Sequence, residues 1–167
     1  LIRQVMNAIK YLHQLPEKVI HYDLKPQNIL FHHGQIKITD FGLCKILNDE
    51  TTKMELTSQG VGTYWYLPPE CFMVDEKPTI STKVDIWSIG VIYFEMLFGQ
   101  KPFGDKMSQL KIIKEGIILK SSQVQFPTKP ANISQESKDF IKACLMYKEQ
   151  DRPDIVELLN HPLFERK

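Results

Sequence analysis

Asp23, Lys25 and Asn28 lie within one short stretch, and Asp40 follows it in the tripeptide Asp40-Phe41-Gly42. Together they offer two carboxylates, one amide oxygen and one mobile cation. Carboxylate and amide oxygens are the hard donors that Mg2+ takes, since it keeps several waters and binds through one or two protein ligands plus phosphates. A transferring phosphoryl group carries its charge on peripheral oxygens, so positioning and charge neutralisation matter more than covalent chemistry by the protein. The four residues therefore have the types needed for metal-assisted phosphoryl transfer, with Asn28 and Asp40 as the metal ligands. Each piece alone has a plainer reading. Asp-Phe-Gly is a common turn, and Asp-x-x-x-x-Asn can be a helix cap or an Asx-turn. The catalytic reading gains its weight from order, spacing and the motifs that follow.

The elements that must position these residues are legible from periodicity. Ile2, Val5, Met6, Ile9 and Leu12 follow helical spacing without a start signal, so the chain opens inside an amphipathic helix. Ile29-Leu30-Phe31 and Ile36-Lys37-Ile38 flank His32-His33-Gly34-Gln35 and predict a short hairpin with Asn28 and Asp40 at its ends. His32 and His33, adjacent in that turn, should point apart and face solvent, without further residues to complete a metal site. The run Asp85-Ile86-Trp87-Ser88-Ile89-Gly90, continued by Val91, Ile92, Phe94, Met96 and Leu97, predicts a helix from about Lys83 to Phe98. A helix apolar nearly all round belongs inside a domain. Asp85 and Glu95 interrupt it, and it falls short of the ~20 apolar residues of a membrane span. Pro102, Pro127, Pro130, Pro153 and Pro162 divide the rest into short helices and loops.

At 167 residues and 43% hydrophobic, the chain has enough apolar material for one well-buried core and is too rich in it to be disordered. The net charge is +1 with scattered lysines, so no basic stripe points to direct nucleic-acid or membrane binding. Cys44, Cys71 and Cys144 are odd in number and lack Cys-x-x-Cys spacing, as expected of reduced thiols in a cytosolic or nuclear protein. No signal-peptide pattern opens the chain, which starts at Leu1 and not at a methionine.

Four further segments complete a series: His21-Tyr22-Asp23-Leu24-Lys25-Pro26-Gln27-Asn28, Gly62-Thr63-Tyr64-Trp65-Tyr66-Leu67-Pro68-Pro69-Glu70, the helix opening at Asp85, and Asp151-Arg152-Pro153. In this order they resemble the eukaryotic protein kinases. The resemblance implies a catalytic loop at 21–28 and an activation segment at 40–70. Asp23 would accept or orient the proton of the attacking hydroxyl, Lys25 would contact the transferring phosphate, and Thr63 would hydrogen-bond toward both. ATP would meet Lys25, Asn28, Leu30 and Asp40, with Mg2+ on Asn28 and Asp40. His21, Phe41, Glu70, Asp85 and Arg152 would be structural supports, Asp85 through the loop's N–H groups and Glu70 through a buried pair with Arg152. Asp85 as a helix cap, and Trp65 and Tyr66 as aromatic core, are the plainer readings, and both can hold together with the first. Lys25-Pro26 favours serine or threonine as acceptor. The implied fold is mainly α with short β-hairpins, a protein-kinase-like C-lobe. The Gly-rich loop and lysine strand of the N-lobe are not in these residues, so little activity is expected of this stretch alone, with the N-lobe upstream.

Tyr22 stands where many kinases carry Arg. Its presence leaves Asp23 without a neighbouring cation and weakens the case for phosphate-triggered ordering. Thr51, Thr52, Thr57 and Ser58 are candidate phosphorylation sites, with a plain polar surface loop as the equal alternative. Gln27 gives no support for a preference for basic substrates. Ile36-Lys37-Ile38-Thr39-Asp40-Phe41-Gly42-Leu43, the stretch from Leu56 to Phe72, and Val124-Gln125-Phe126-Pro127 are similar to the Tousled-like kinases, for which His-Tyr-Asp is the usual form. That resemblance implies a nuclear serine/threonine kinase of chromatin assembly, with histone chaperones of the anti-silencing-function type as substrates. A coiled coil upstream belongs to the same resemblance, although no heptad run occurs here. A non-catalytic lobe serving as a protein-binding module is the alternative. A metabolite kinase is weaker, because the Gly62–Glu70 segment suits a peptide.

Overall fold

The computed structural model describes residues 1–48, 51–56, 61–73 and 78–165. Helix α1 (Ile2–His13) turns Ile2, Val5, Met6 and Ile9 inward, as the spacing predicts, and buries His13 with them, while Leu12 is only half-buried. Short strands β1 (Lys18–Ile20), β2 (Ile29–His32), β3 (Gln35–Ile38), β4 (Lys45–Leu47), β5 (Met54–Glu55) and β6 (Thr79–Ile80) follow. The remaining helices are α2 (Lys83–Phe98), α3 (Gln109–Glu115), α4 (Gln135–Cys144) and α5 (Ile155–Leu159).

The expected hairpin is β2–β3, with Ile29 opposite Ile38 and His32 opposite Gln35. The other two pairs are antiparallel but are not hairpins. β1 pairs with β4, bringing together segments on either side of the β2–β3 hairpin, and β5 pairs with β6, placing Met54 opposite Ile80. The expectation of short hairpins thus needs correction in two of three cases, because non-local pairing leaves no trace in local alternation. At the hairpin tip, His33 takes a positive φ of 46°. Both histidines are exposed, but their rings touch at 4.0 Å in an edge arrangement and do not point apart. No cluster of three or more His, Cys, Asp or Glu suited to a metal occurs among the described residues.

Every residue of α2 from Val84 to Phe94 is buried, which fits its all-round apolar sequence. The helix stops where Gly99 adopts the left-handed conformation at φ 68°, and its N–H returns to the Glu95 carbonyl. α4 crosses α2 so closely that a Cβ added at Gly90 would stand 2.5 Å from Cys144 Cβ. Side-chain caps start the later helices: Ser108 for α3, Ser134 for α4, and an Asp154/Glu157 capping box for α5. A second apolar cluster, of Ile20, Tyr22, Leu47, Leu56, Leu67, Cys71, Ile80 and Val84, lies beneath the stretch that links Asp40 to Glu70. No helix among the described residues is long and apolar enough to cross a membrane.

Candidate active site

The loop that carries Asp23 leaves β1 and is bent sharply at Tyr22, where φ is 70° and the Asp23 N–H donates to the His21 carbonyl at 2.9 Å. Positive φ at a bulky residue costs of order 1–3 kcal/mol and persists only where surroundings over-determine it. Asp85, in the first turn of α2, does so. Its Oδ2 accepts from the His21 N–H at 2.9 Å and its Oδ1 from the Tyr22 N–H at 3.0 Å. Oδ2 also meets His13 Nε2 at 2.8 Å. Both oxygens of Asp85 are thereby engaged with α1 and the loop, so the helix-cap reading is not realised.

Asp23 is buried, and three side-chain donors meet its carboxylate. Thr63 Oγ1 donates to Oδ1 at 2.8 Å, Lys25 Nζ to Oδ2 at 2.6 Å, and Asn28 Nδ2 lies 3.3 Å from Oδ2. Lys25 Nζ also donates to Thr63 Oγ1 at 2.9 Å, so the hydroxyl bridges acid and cation. The expectation that Asp23 lacks a neighbouring cation is therefore wrong. The extended backbone at Lys25 returns its ammonium to the carboxylate two residues back.

Asn28 ends a 3₁₀ turn opened by Pro26, and its Nδ2 donates to the Asp23 carbonyl at 2.9 Å. With the amide nitrogen turned to Asp23, the amide oxygen is the atom left for a cation. The Asn28 carbonyl accepts from Thr39 N at 2.9 Å, which closes the β2–β3 hairpin just ahead of Asp40. Asp40 is exposed at φ 62°, and among the described residues its Oδ1 receives a long 3.4 Å contact from Gly42 N. One exposed carboxylate and one amide oxygen form a hard, incomplete donor set. That fits Mg2+, whose remaining ligands would be water and phosphate.

The other expected residues fall around this centre. His21 is buried, its Nε2 3.1 Å from the Thr39 carbonyl, and its ring meets Phe41 edge-on at 5.1 Å. Phe41 and Leu30 remain 49% and 52% exposed. Glu70 and Arg152 form a bidentate buried pair at 2.7 and 2.8 Å. Trp65 is half-buried with its indole N–H on the Gly104 carbonyl at 2.8 Å, and Tyr66 is buried with its hydroxyl on Glu95 at 2.6 Å. Both rings do bury surface, and Lys101 pairs with Glu95 at 3.0 Å beside them. Burial, and then the Glu95 contact, push the Tyr66 phenol far up, and burial does the same for Tyr22.

Thr51 and Thr52 are exposed, whereas Thr57 and Ser58 lie outside the described residues. Periodicity missed two contacts. His13, four residues after Ile9 on the apolar face of α1, carries the signal of a buried histidine that needs a carboxylate. The Glu149 carboxylate, bonded to both Lys53 and Ser81, had no such signal.

A protein kinase domain model matches residues 1–164. The chain is 54% identical to mouse "Serine/threonine-protein kinase tousled-like 1", the match covering 97% of this chain and 22% of that protein. It is 53% identical to "Serine/threonine-protein kinase tousled-like 2" of Xenopus tropicalis and 52% identical to "Serine/threonine-protein kinase TOUSLED" of Arabidopsis thaliana, covering 97% of this chain and 24% of each relative. The chain thus spans under a quarter of the length of these relatives. With this match and the geometry of Asp23, Asn28 and Thr63, the chain belongs to the protein kinase domain family, and its homologues are Tousled-like serine/threonine kinases.

Proposed function

We propose that this chain is the C-terminal lobe of a serine/threonine protein kinase that transfers the γ-phosphate of ATP to serine or threonine hydroxyls of proteins. The observation that carries it is the network in which Thr63 joins Asp23 at 2.8 Å to Lys25 at 2.9 Å. The substrate hydroxyl oxygen attacks the γ-phosphorus, the bond to the bridging oxygen breaks, and ADP leaves with that electron pair. Asp23 takes the hydroxyl proton, its carboxylate oriented by Thr63 and by the Asn28 amide. Lys25, held beside Asp23, reaches the phosphoryl oxygens as a point charge. Asn28 and Asp40 hold Mg2+, which when bound neutralises charge on the phosphate oxygens. Exposure of Leu30 and Phe41 supports an N-terminal lobe that covers them, and the greater length of the relatives supports such a lobe within the same polypeptide. On this reading residues 21–28 are the catalytic loop, 40–70 the activation segment, and residues 1–167 alone are inactive. Resemblance to the Tousled-like kinases supports a nuclear place in chromatin assembly, with histone chaperones among the substrates.

The test uses the full-length polypeptide with ATP, Mg2+ and a serine-containing protein acceptor. Phosphate incorporation that drops about 10²-fold or more in Asp23→Asn is expected of a lost general base. A folded wild-type protein that transfers no phosphate, or an Asp23→Asn protein of undiminished rate, would falsify the assignment.

A further inference from the structure

Among the described residues β2 and β3 form a sheet of two strands, so no third strand pairs with the outer edge of β3. In an antiparallel ladder, pairs that exchange N–H···O bonds alternate with pairs whose N–H and C=O groups point away from the partner strand. The Thr39 N–H donates to the Asn28 carbonyl at 2.9 Å, which fixes the phase of that alternation. Ile36, three residues earlier, therefore turns its N–H to the outer edge. Gln4 meets that edge from α1. Its Oε1 accepts from the Ile36 N–H at 2.9 Å, and its Nε2 donates to the Gly34 carbonyl at 3.2 Å. One side-chain amide thus gives an acceptor and a donor to backbone groups two residues apart, as a neighbouring strand would. The Ile36 side chain lies in the same apolar cluster as Ile2, Val5 and Met6 of α1, so an apolar contact and a polar fork together hold β3 to that helix.

We propose that Gln4 is a positioning residue for the metal site, holding β3 so that the Asp40 carboxylate stands within reach of a cation shared with Asn28. This inference rests on the kinase reading given above. The two metal ligands are placed by different means. Asn28 has its own tie to the catalytic loop, from Nδ2 to the Asp23 carbonyl at 2.9 Å. Asp40 follows β3 directly and takes its place from that strand and from the Phe41 ring against His21. Whatever lets β3 shift therefore moves Asp40 relative to Asn28, and a divalent cation that needs both oxygens binds less well. Gln4 itself touches neither metal nor substrate and acts through the backbone of β3. Its side chain is exposed on α1, so it can be exchanged without disturbing the core. Saturating Mg2+ offsets a weakened site, so loss of the fork should fall on the Mg2+ concentration required and spare the rate once the site is filled.

The test compares full-length wild-type polypeptide with Gln4→Met and Gln4→Glu. Methionine keeps an unbranched side chain of similar helix propensity but makes neither hydrogen bond, whereas glutamate retains an acceptor for the Ile36 N–H. In the metal-free protein, hydrogen exchange of the β3 amides, read by mass spectrometry, should quicken about threefold or more in Gln4→Met and stay near wild type in Gln4→Glu. With ATP and a serine-containing protein acceptor, the KM for Mg2+ should rise about threefold or more in Gln4→Met, with kcat at saturating Mg2+ and the melting temperature near wild type. Gln4→Glu should restore most of the Mg2+ response. Faster exchange in β3 with an unchanged KM for Mg2+ would show a structural tie alone and overturn the positioning role. Unchanged exchange in Gln4→Met overturns it too, as does a fall in kcat with no change in that KM. A folded wild-type protein that transfers no phosphate strikes at the kinase reading itself, whereas an active wild type with indifferent Gln4 variants strikes only at Gln4.

Discussion

Arg152→Met isolates a buried ion pair with several further hydrogen bonds. Arg152 is 1% exposed, and besides its two bonds to Glu70 it donates from Nε to the Met146 carbonyl at 2.8 Å. Further bonds run to the Tyr147 carbonyl at 3.1 Å and the Lys83 carbonyl at 3.3 Å. Its guanidinium also lies 5.0 Å from the ring centre of Trp87. Methionine fills much of the volume but leaves Glu70, itself 8% exposed, with a charge and no partner. Breaking a buried pair from one side costs about 3–5 kcal/mol, and the three abandoned carbonyls add about 1 kcal/mol each at most. Against a typical total of about 5–15 kcal/mol, the variant should sit close to unfolding.

Glu70→Gln should cost less, because the amide oxygen still accepts from Arg152 and three carbonyls continue to solvate the cation. The double variant Arg152→Met/Glu70→Met removes both charges, and its loss should fall short of the summed single losses by about 2 kcal/mol or more. Urea unfolding of the kinase polypeptide, followed by tryptophan fluorescence, measures all three, with Trp87 reporting beside the mutated site. A loss below about 1 kcal/mol in Arg152→Met, or additive losses in the double variant, would refute the reasoning.

At the α2–α4 crossing, Gly90→Ala should lower stability by about 1–3 kcal/mol through overpacking. Cys144→Ala should not rescue it, since the 2.5 Å clash is with the Cys144 Cβ that alanine retains; melting temperatures of both variants decide this. For Cys44, burial first and then the charges of Asp85 and Asp40 push the thiol up to about 11. These effects disfavour the thiolate, so alkylation of Cys44 in the metal-free protein should keep rising with pH to near 11, whereas an ordinary thiol levels off near about 8.5. A plateau near the ordinary value would show that the folded environment does not act on it.

Helix α2 was legible because an all-round apolar run has one stable place, the interior. The β2–β3 hairpin was legible for an equally local reason, alternation on either side of His33-Gly34. Asp23, Asn28 and Asp40 stand out as candidates in the sequence because the chemistry restricts residue type and the loop restricts spacing. What the chain could not disclose is who neutralises whom. His13 and Asp85 are 72 positions apart, Lys53 and Glu149 are 96 apart, and the ammonium that meets Asp23 comes from Lys25 only because of the backbone's path there. The β1–β4 and β5–β6 pairings are of the same kind. Local sequence sets the period of an element and the donors it carries. Buried charges instead find partners through the packing of distant elements, because an unpaired one would cost several kcal/mol, and only the tertiary structure decides which partner stands within reach.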